Sequence, residues 1–407
     1  MKHVIIGAGA AGLNAARKIR SLRPADEISV ISAEDSIYSR CLLHHFISGE
    51  RTVEAMNFVA PDFFSQQRIQ WLKDAPVQSL DTTRKQVRLQ TGDTVNYDTL
   101  LIATGSLATI PPIPNLRTAN QVFVLRSLAD AKALAHGARA GMAAVVIGGG
   151  LVGFDAAVGL AAKGVRVSVV EMADRILPLQ LDKKSAAKYE ALCGEQGIDI
   201  YTGQSVREVL LNQANDVLGV KLSGNRIIEA SVLVVAAGVR PHIEWLKDPA
   251  IKLGKGIIID EHCRTTADSV FAAGDATGKT GIWPQAVKQG LTAAANMCGQ
   301  EKTLTDNFSL KNSLNFFGLK TVSLGVPETP DDTYDVEIYE TPAVYKKLIH
   351  KGGIVYGAIF QGDIDYSGIW TGIIGHPLSI SALNAKDIFD IDYSDFYKMT
   401  PDGQYCY

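Results

Sequence analysis

Val4-Ile5-Ile6-Gly7-Ala8-Gly9-Ala10-Ala11-Gly12 decides the fold. The apolar run reads as a strand. The small residues after it lead into a helix-forming stretch from Leu13 to Leu22, and a second strand is expected at Ile28 to Ser32. The glycines follow the spacing GxGxxG. The first makes a tight turn, the second lets the backbone approach a pyrophosphate, and the third lets helix and strand pack closely. The helix N-terminus then offers amide donors and a partial positive charge. One such run is weak evidence, because a glycine turn can serve packing alone.

The chain carries the device twice. Ala144-Val145-Val146-Ile147-Gly148-Gly149-Gly150-Leu151-Val152-Gly153 enters an alanine-rich helix ending near Lys163-Gly164, followed by the strand Val165 to Glu171. Each copy is a strand–turn–helix–strand unit of about 30 residues, which implies a parallel sheet. Two complete copies make the packing-only reading remote. The candidate nucleotide contacts are Gly7, Gly9, Ala10, Ala11 and Gly12 in the first copy, and Gly148, Gly150, Leu151, Val152 and Gly153 in the second.

The acidic residue expected some 20 positions on separates the copies. In the second, Glu171 ends the strand. A carboxylate there accepts both ribose hydroxyls and repels a 2′-phosphate. The next residues, Met172-Ala173-Asp174, offer no arginine for such a phosphate, which favours NAD over NADP; Arg175 keeps the alternative open. In the first copy the strand ends in Ser32, and Glu34 lies two residues further on. Either Glu34 reaches the ribose from a longer turn, or Ser32 and water do.

Between the copies, Tyr97 to Gly105 reads as a buried strand ending in the turn Ala103-Thr104-Gly105. The proline-rich Ile110-Pro111-Pro112-Ile113-Pro114 reads as a domain crossing. Similar strands run from Ser231 to the turn Ala236-Ala237-Gly238, and from Asp268 to Ala272-Ala273-Gly274-Asp275. A helix is expected from near Pro284 to Met297. After about residue 305 the texture changes to antiparallel strands around Asn315-Phe316-Phe317, Asp335 to Tyr339 and Ile354 to Phe360, with a hairpin at Lys351-Gly352-Gly353.

The 407 residues exceed one compact core. The apolar fraction of 46% and charged fraction of 20% are ordinary for a globular chain. A net charge of −3, from 40 basic and 43 acidic residues, gives no nucleic-acid footprint. No apolar run reaches the ~18–20 residues that span a bilayer. The start reads as a first strand rather than a signal peptide, so a cytoplasmic protein that meets no membrane is expected. Cys41, Cys193, Cys263, Cys298 and Cys406 form no CxxC or CxxxxC pair. No built-in redox disulfide, iron–sulfur cluster or metal site of the usual spacing is therefore expected.

Together the two fingerprints, the two glycine turns and Ala272-Ala273-Gly274-Asp275 resemble the two-dinucleotide-fold flavoprotein reductases, the pyridine nucleotide–disulfide reductase superfamily. The resemblance covers about residues 1–300. It implies FAD on the first fold and NAD(H) on the second, with Asp275 holding a ribityl hydroxyl of the flavin. It adds Ala103, Thr104, Gly105, Arg126, Gly238 and Gly274 to the cofactor-binding set. Tyr38-Ser39-Arg40-Cys41-Leu42-Leu43, and the segment from Ile282 through Trp283 and Pro284 to Gly290, resemble the branch of NADH:rubredoxin reductases and the FAD domain of NADH-dependent nitrite reductases. There a helix N-terminus would face the flavin's pyrimidine edge. Arg40 either holds FAD by charge-assisted hydrogen bonds or forms a surface salt bridge.

Cys41 has two readings. Its position resembles the redox cysteine of NADH peroxidases, NADH oxidases and coenzyme A disulfide reductases, where a thiolate works against the flavin. Yet the histidine of the peroxidases' first glycine loop is missing here, and the surrounding residues fit rubredoxin-reductase-type proteins, where the position is structural. Cys193, Cys263 and Cys298 read as packing or surface thiols and Trp370 as a core aromatic. The basic group Arg17, Lys18, Arg20 and Arg23 reads as a solvated helix face or a surface for an acidic carrier.

The expected architecture is an α/β protein with two Rossmann-like domains, for FAD (1–110 and 245–305) and NAD (111–244), and a small α+β C-terminal domain (306–407) that serves as a dimer interface or partner-docking site. The implied function is electron transfer between NAD(H) and a small rubredoxin or ferredoxin-like iron–sulfur protein. The alternative is reduction of peroxide, oxygen or a coenzyme A disulfide or persulfide at Cys41.

Overall fold

The computed structural model describes residues 1–279, 281–304, 311–374, 388–392 and 395, and the pairing of Lys398–Met399 with Tyr405–Cys406. Two five-stranded parallel sheets share one plan. In the first, the strand Lys2–Ile6 lies between Glu27–Ile31 and Thr99–Ile102, with Gln70–Leu72 and Val270–Ala272 at the edges. In the second, Ala143–Ile147 lies between Arg166–Val170 and Val232–Val235, with Ile198–Tyr201 and Val122–Val124 at the edges. In each sheet the strand order reverses at the glycine-fingerprint strand. A crevice therefore opens at the carboxyl end of that strand, where ligands of such sheets bind.

The central strands are continuous apolar runs because both faces are covered. Leu100, Leu101, Ile102, Val232, Leu233, Val234 and Val235 are each at most 1% exposed. Burying each such side chain contributes about 1.5–3 kcal/mol. The helix Trp283–Met297 packs back on the fingerprint helix Ala10–Leu22 through small residues. A Cβ on Gly290 would lie 2.3 Å from the Ala11 carbonyl oxygen. That close approach sets the start of the helix over the first crevice. The chain leaves and re-enters the first sheet side by side, as Ser106–Ala108 pairs antiparallel with Val239–Pro241.

The C-terminal sheet is antiparallel, in the order 311–316, 319–325, 354–361, 345–351, 335–340. Its hairpin at Gly352-Gly353 has φ of +59° and +80°, which suits a two-residue turn that needs glycine at both centres. The helix Ser367–Ile373 covers one face with Trp370 in the core beside Phe360. The sheet's first hairpin seats on the second parallel domain. Phe316 meets the Phe154 ring edge-on at 4.7 Å, and the Tyr189 hydroxyl donates to the Leu319 carbonyl at 2.6 Å.

Cys193, Cys263 and Cys298 are buried, Cys193 within a helix, Cys263 in a turn at φ +62° and Cys298 just past a helix end; the Cys406 side chain lies outside the described residues. The basic helix face is partly spent on the chain's own backbone. Arg20 donates to the carbonyls of Gln67 at 2.7 Å, Pro24 at 2.9 Å, and Asp26 and Arg68 at 2.8 Å, while Arg23 donates to that of Cys298. Among the described residues no helix is long and apolar enough to cross a membrane.

Candidate functional site

The two glycine loops share the same backbone plan. Gly7 has φ of +114°, and a Cβ there would lie 2.1 Å from the Ala103 carbonyl oxygen; Gly148 has φ of +110° and a Cβ would lie 2.4 Å from that of Ala236. A Cβ on Gly12 would lie 1.9 Å from the Gly7 oxygen, and one on Gly153 would lie 1.8 Å from the Gly148 oxygen. The middle glycines, Gly9 and Gly150, face open space. They precede helices that have no side-chain cap and no acidic residue in the first turn. The first-turn amides at Ala10, Ala11 and Gly12, and at Leu151, Val152 and Gly153, thus remain as donors for an anion. Both cradles fit a pyrophosphate.

A cavity of about 650 Å³ opens at the first loop, within the size range of small-molecule sites. Gly7, Gly9, Ala10, Ala11, Glu34, Arg40, Cys41, Ala103, Thr104, Gly105, Arg126, Gly274, Asp275 and Trp283 all line it. Gly12 stands behind the loop as a packing residue, and Pro284 is in the first turn of the helix that follows. On the wall, Asp275 Oδ2 accepts from Arg126 Nη2 at 2.6 Å and from the Ser106 hydroxyl at 2.8 Å. Burial lowers the Arg126 pKa, with Asp275 opposing that shift. Asp275 Oδ1 has no partner among the described residues, which leaves it free to accept a hydroxyl from a ligand. The Gly274 amide is fixed by Gln289 Oε1 at 2.7 Å. The sequence reading gives Ser106 and Trp245 no role, and Tyr38 and Gln289 enter it only inside the segments 38–43 and 282–290. Only the fold brings the four together here.

Glu34 and Arg40 face each other rather than standing alone. Arg40 Nη2 lies 3.1 Å from Glu34 Oε2, and Nη1 donates to the Arg126 carbonyl at 2.6 Å. The Tyr38 hydroxyl donates to Glu34 at 2.8 Å and accepts the Leu128 amide at 2.9 Å. Burial raises the Tyr38 pKa, so it stays a phenol. The Ser32 hydroxyl is spent, since it donates to the Glu34 carbonyl at 2.6 Å and accepts from the Trp71 indole at 2.8 Å.

Cys41 lies in the turn Arg40–Leu42 and faces the cavity. Burial and the nearby Asp155 raise its pKa, while a Ser39 hydrogen bond and the Arg126 charge oppose them. Behind it, His44 Nδ1 lies 3.5 Å from Asp155 Oδ1 on the second fingerprint helix. Burial, aided by His45, pushes the His44 pKa down to about 4, and burial pushes the Asp155 carboxyl up to about 8. Burial thus disfavours the charged form of each side chain.

At the second loop, Glu171 Oε2 accepts the Gly149 amide at 2.6 Å and Oε1 accepts the Ala173 amide at 2.8 Å. Each oxygen keeps a lone pair for an incoming hydroxyl. Arg175 is engaged elsewhere, donating to the Leu181 carbonyl at 2.8 Å and to Asp174 at 2.7 Å. Gly238, at φ +91°, faces open space.

Two dinucleotide folds, with a cavity lined by both crossings between them, define a nucleotide-dependent oxidoreductase. The chain belongs to the pyridine nucleotide-disulphide oxidoreductase family, whose model matches residues 1–290. The model of the rubredoxin NAD+ reductase C-terminal domain matches residues 311–375. Enzymes of this family use FAD and NAD(H). The chain is 32% identical to the NADH-dependent phenylglyoxylate dehydrogenase subunit epsilon of Aromatoleum evansii, covering 91% of this chain and 87% of that one. It is 28% identical to the nitrite reductase [NAD(P)H] of Bacillus subtilis over 88% of its own length, but spans only 45% of that protein. Among solved structures, NADH:rubredoxin oxidoreductase from Clostridium acetobutylicum aligns with a TM-score of 0.75 at 25% identity, covering 95% of this chain and 98% of that one. A NAD-dependent persulfide reductase from A. fulgidus aligns with a TM-score of 0.82 at 27% identity, covering 94% and 78%.

Proposed function

We propose that this NADH-dependent oxidoreductase passes electrons between NAD(H) and a small external electron-transfer protein of the rubredoxin or ferredoxin type. The observation that carries this reading is the state of Cys41. Among the described residues Cys41 is the one thiol that lines the cavity, no second cysteine stands there to form a redox disulfide with it, and its pKa is raised rather than lowered. The C-terminal match and the subunit role named for the 32%-identical relative support a protein partner.

FAD, when bound, supplies the redox chemistry, since it takes electrons as a pair and releases them one or two at a time. The first loop's amides hold its pyrophosphate, and Asp275 Oδ1 accepts a ribityl hydroxyl. Arg126 neutralises Asp275 and keeps that carboxylate oriented. The start of the helix Trp283–Met297 lends partial positive charge to the cavity beside Trp283. On the second loop, Glu171 accepts the NADH ribose hydroxyls and would meet a 2′-phosphate with like charge, so NADH is preferred to NADPH.

A second reading keeps Cys41 as a redox centre for a peroxide, disulfide or persulfide. Its position on the cavity wall and the persulfide-reductase relative favour it. Flavin-loaded wild type and Cys41→Ser, reduced by NADH and mixed with rubredoxin, ferredoxin, peroxide or a disulfide, separate the two. The carrier reading expects equal transfer to the protein acceptors by both. Loss of transfer to a small molecule in Cys41→Ser, with no transfer to either carrier by wild type, replaces it with the second.

A further inference from the structure

The segment 172–182 leaves the second sheet at Glu171 and ends at the helix Lys183–Glu195. Midway, Leu177 donates its amide to the Gly149 carbonyl at 2.8 Å, holds φ at +49° and is fully buried. Leucine stays in left-handed backbone only where its surroundings over-determine it. At the far end Asp182 caps the helix, its Oδ1 accepting the Ser185 amide at 2.9 Å.

The other oxygen, Oδ2, turns to the C-terminal sheet. It accepts from the Tyr345 hydroxyl at 2.5 Å and from Lys347 Nζ at 3.0 Å. The Asp182 and Lys347 side chains are 6% and 8% exposed. Lys347 also donates to the Pro327 carbonyl and to Glu328 Oε2, each at 3.0 Å. Glu328 lies 3.8 Å from Arg175, which itself donates to the Leu181 carbonyl. The Ser323 hydroxyl donates to the Gln180 carbonyl. The C-terminal sheet therefore grips the segment that follows Glu171 and meets Gly149 through the Leu177 amide.

We infer that Lys347 is a positioning residue for the nicotinamide nucleotide. By neutralising Asp182 it fixes the segment that presents Leu177 to Gly149 and follows Glu171, and the C-terminal domain thereby sets NADH affinity. This rests on the reading of the second loop as the NADH site. The physics is asymmetric. Removing Lys347 alone leaves a buried carboxylate without a counter-charge, which the segment relieves by moving Asp182 toward water. Removing both charges while keeping the helix cap is close to neutral.

The test uses flavin-loaded protein and an artificial one-electron acceptor, with KM for NADH, kcat and flavin content as readouts. In Lys347→Met, KM rises about fivefold or more, the lower end of inter-site coupling, while kcat and flavin content hold. In Asp182→Asn/Lys347→Met, KM returns to within about twofold of wild type, because the buried charge is removed together with its counter-charge. An unchanged KM in Lys347→Met overturns the inference. So does a loss that the double variant fails to restore, or one shared by kcat and flavin content. Should Lys347→Met not fold, Lys347→Gln decides, since it removes the charge while keeping a polar side chain that can still donate to Asp182. It is expected to raise KM about threefold, and an unchanged value refutes the inference. A wild type with no saturable NADH dependence sinks the nucleotide-site reading itself.

Discussion

Asp275→Asn probes the flavin wall. In the wild type, Asp275 Oδ2 binds Arg126 at 2.6 Å and Ser106 at 2.8 Å, with side-chain exposures of 15% for Asp275 and 21% for Arg126. Asparagine must turn its carbonyl toward Arg126, since its amide group would set donor against donor. That places NH2 where Oδ1 faced the ligand. The contact to a flavin hydroxyl survives as a neutral hydrogen bond, worth about 0.5–1.5 kcal/mol against about 1.5–3 kcal/mol for a charged one. The difference, roughly 1.4 kcal/mol, is about tenfold in FAD Kd. Separately, Arg126 loses its counter-charge. Partial exposure holds that cost below the ~3–5 kcal/mol of a fully buried pair, at about 2 kcal/mol of folding stability. Titrating flavin-free protein with FAD by flavin fluorescence gives the first number, and urea unfolding gives the second. An Asp275→Asn protein with FAD affinity within about twofold of wild type would show that Asp275 does not touch the cofactor.

Other perturbations have equally direct readouts. Glu171→Gln leaves either the Gly149 or the Ala173 amide facing an NH2 group. NADH affinity should fall about tenfold with flavin content intact, and an unchanged NADH KM would remove Glu171 from the site. Gly290→Ala pushes a Cβ to 2.3 Å from the Ala11 oxygen. Overpacking of about 1–3 kcal/mol should part the two helices and lower both thermal stability and flavin retention, whereas a wild-type melting curve would contradict the close packing. His3 is fully buried, with Nδ1 at 2.7 Å from Thr99 Oγ1 and Nε2 at 3.0 Å from Asp26, and burial lowers its pKa despite Asp26. The unfolded chain then binds more protons than the fold below the ordinary histidine pKa of about 6.5. Stability conferred by His3 should thus be complete above that pH and be lost as pH falls from it toward the folded value. Urea midpoints measured from pH 7.5 downward should decline more steeply in wild type than in His3→Gln, and equal slopes would contradict this.

The two sheets were legible because their requirements are local and chemical. Gly7, Gly12, Gly148 and Gly153 stand where a Cβ would strike a carbonyl oxygen, so the sequence must write glycine there. Val232 to Val235 read as a strand because covered strands are uninterrupted apolar runs. What stayed hidden depends on pairing across the chain. Arg126 and Asp275 are 149 residues apart, and Asp182 and Lys347 are 165 apart. No spacing rule links such positions. Arg20 reads as part of a solvated helix face or a surface for an acidic carrier, yet its five acceptors are all carbonyls, which carry no side-chain signature. Either Glu34 or Ser32 with water reads as the ribose partner, but Trp71 and the Glu34 carbonyl consume the Ser32 hydroxyl.

The central claim, that a flavin held at the first loop is reduced by NADH held at the second and discharged to a protein carrier, is tested most directly by anaerobic stopped-flow mixing of the flavin-loaded protein with NADH, followed by oxidised rubredoxin or ferredoxin. The expected result is rapid loss of flavin absorbance with NADH, slower loss with NADPH, and recovery on adding the carrier, all unchanged in Cys41→Ser. Flavin that NADH does not bleach, or that no carrier reoxidises, would contradict it.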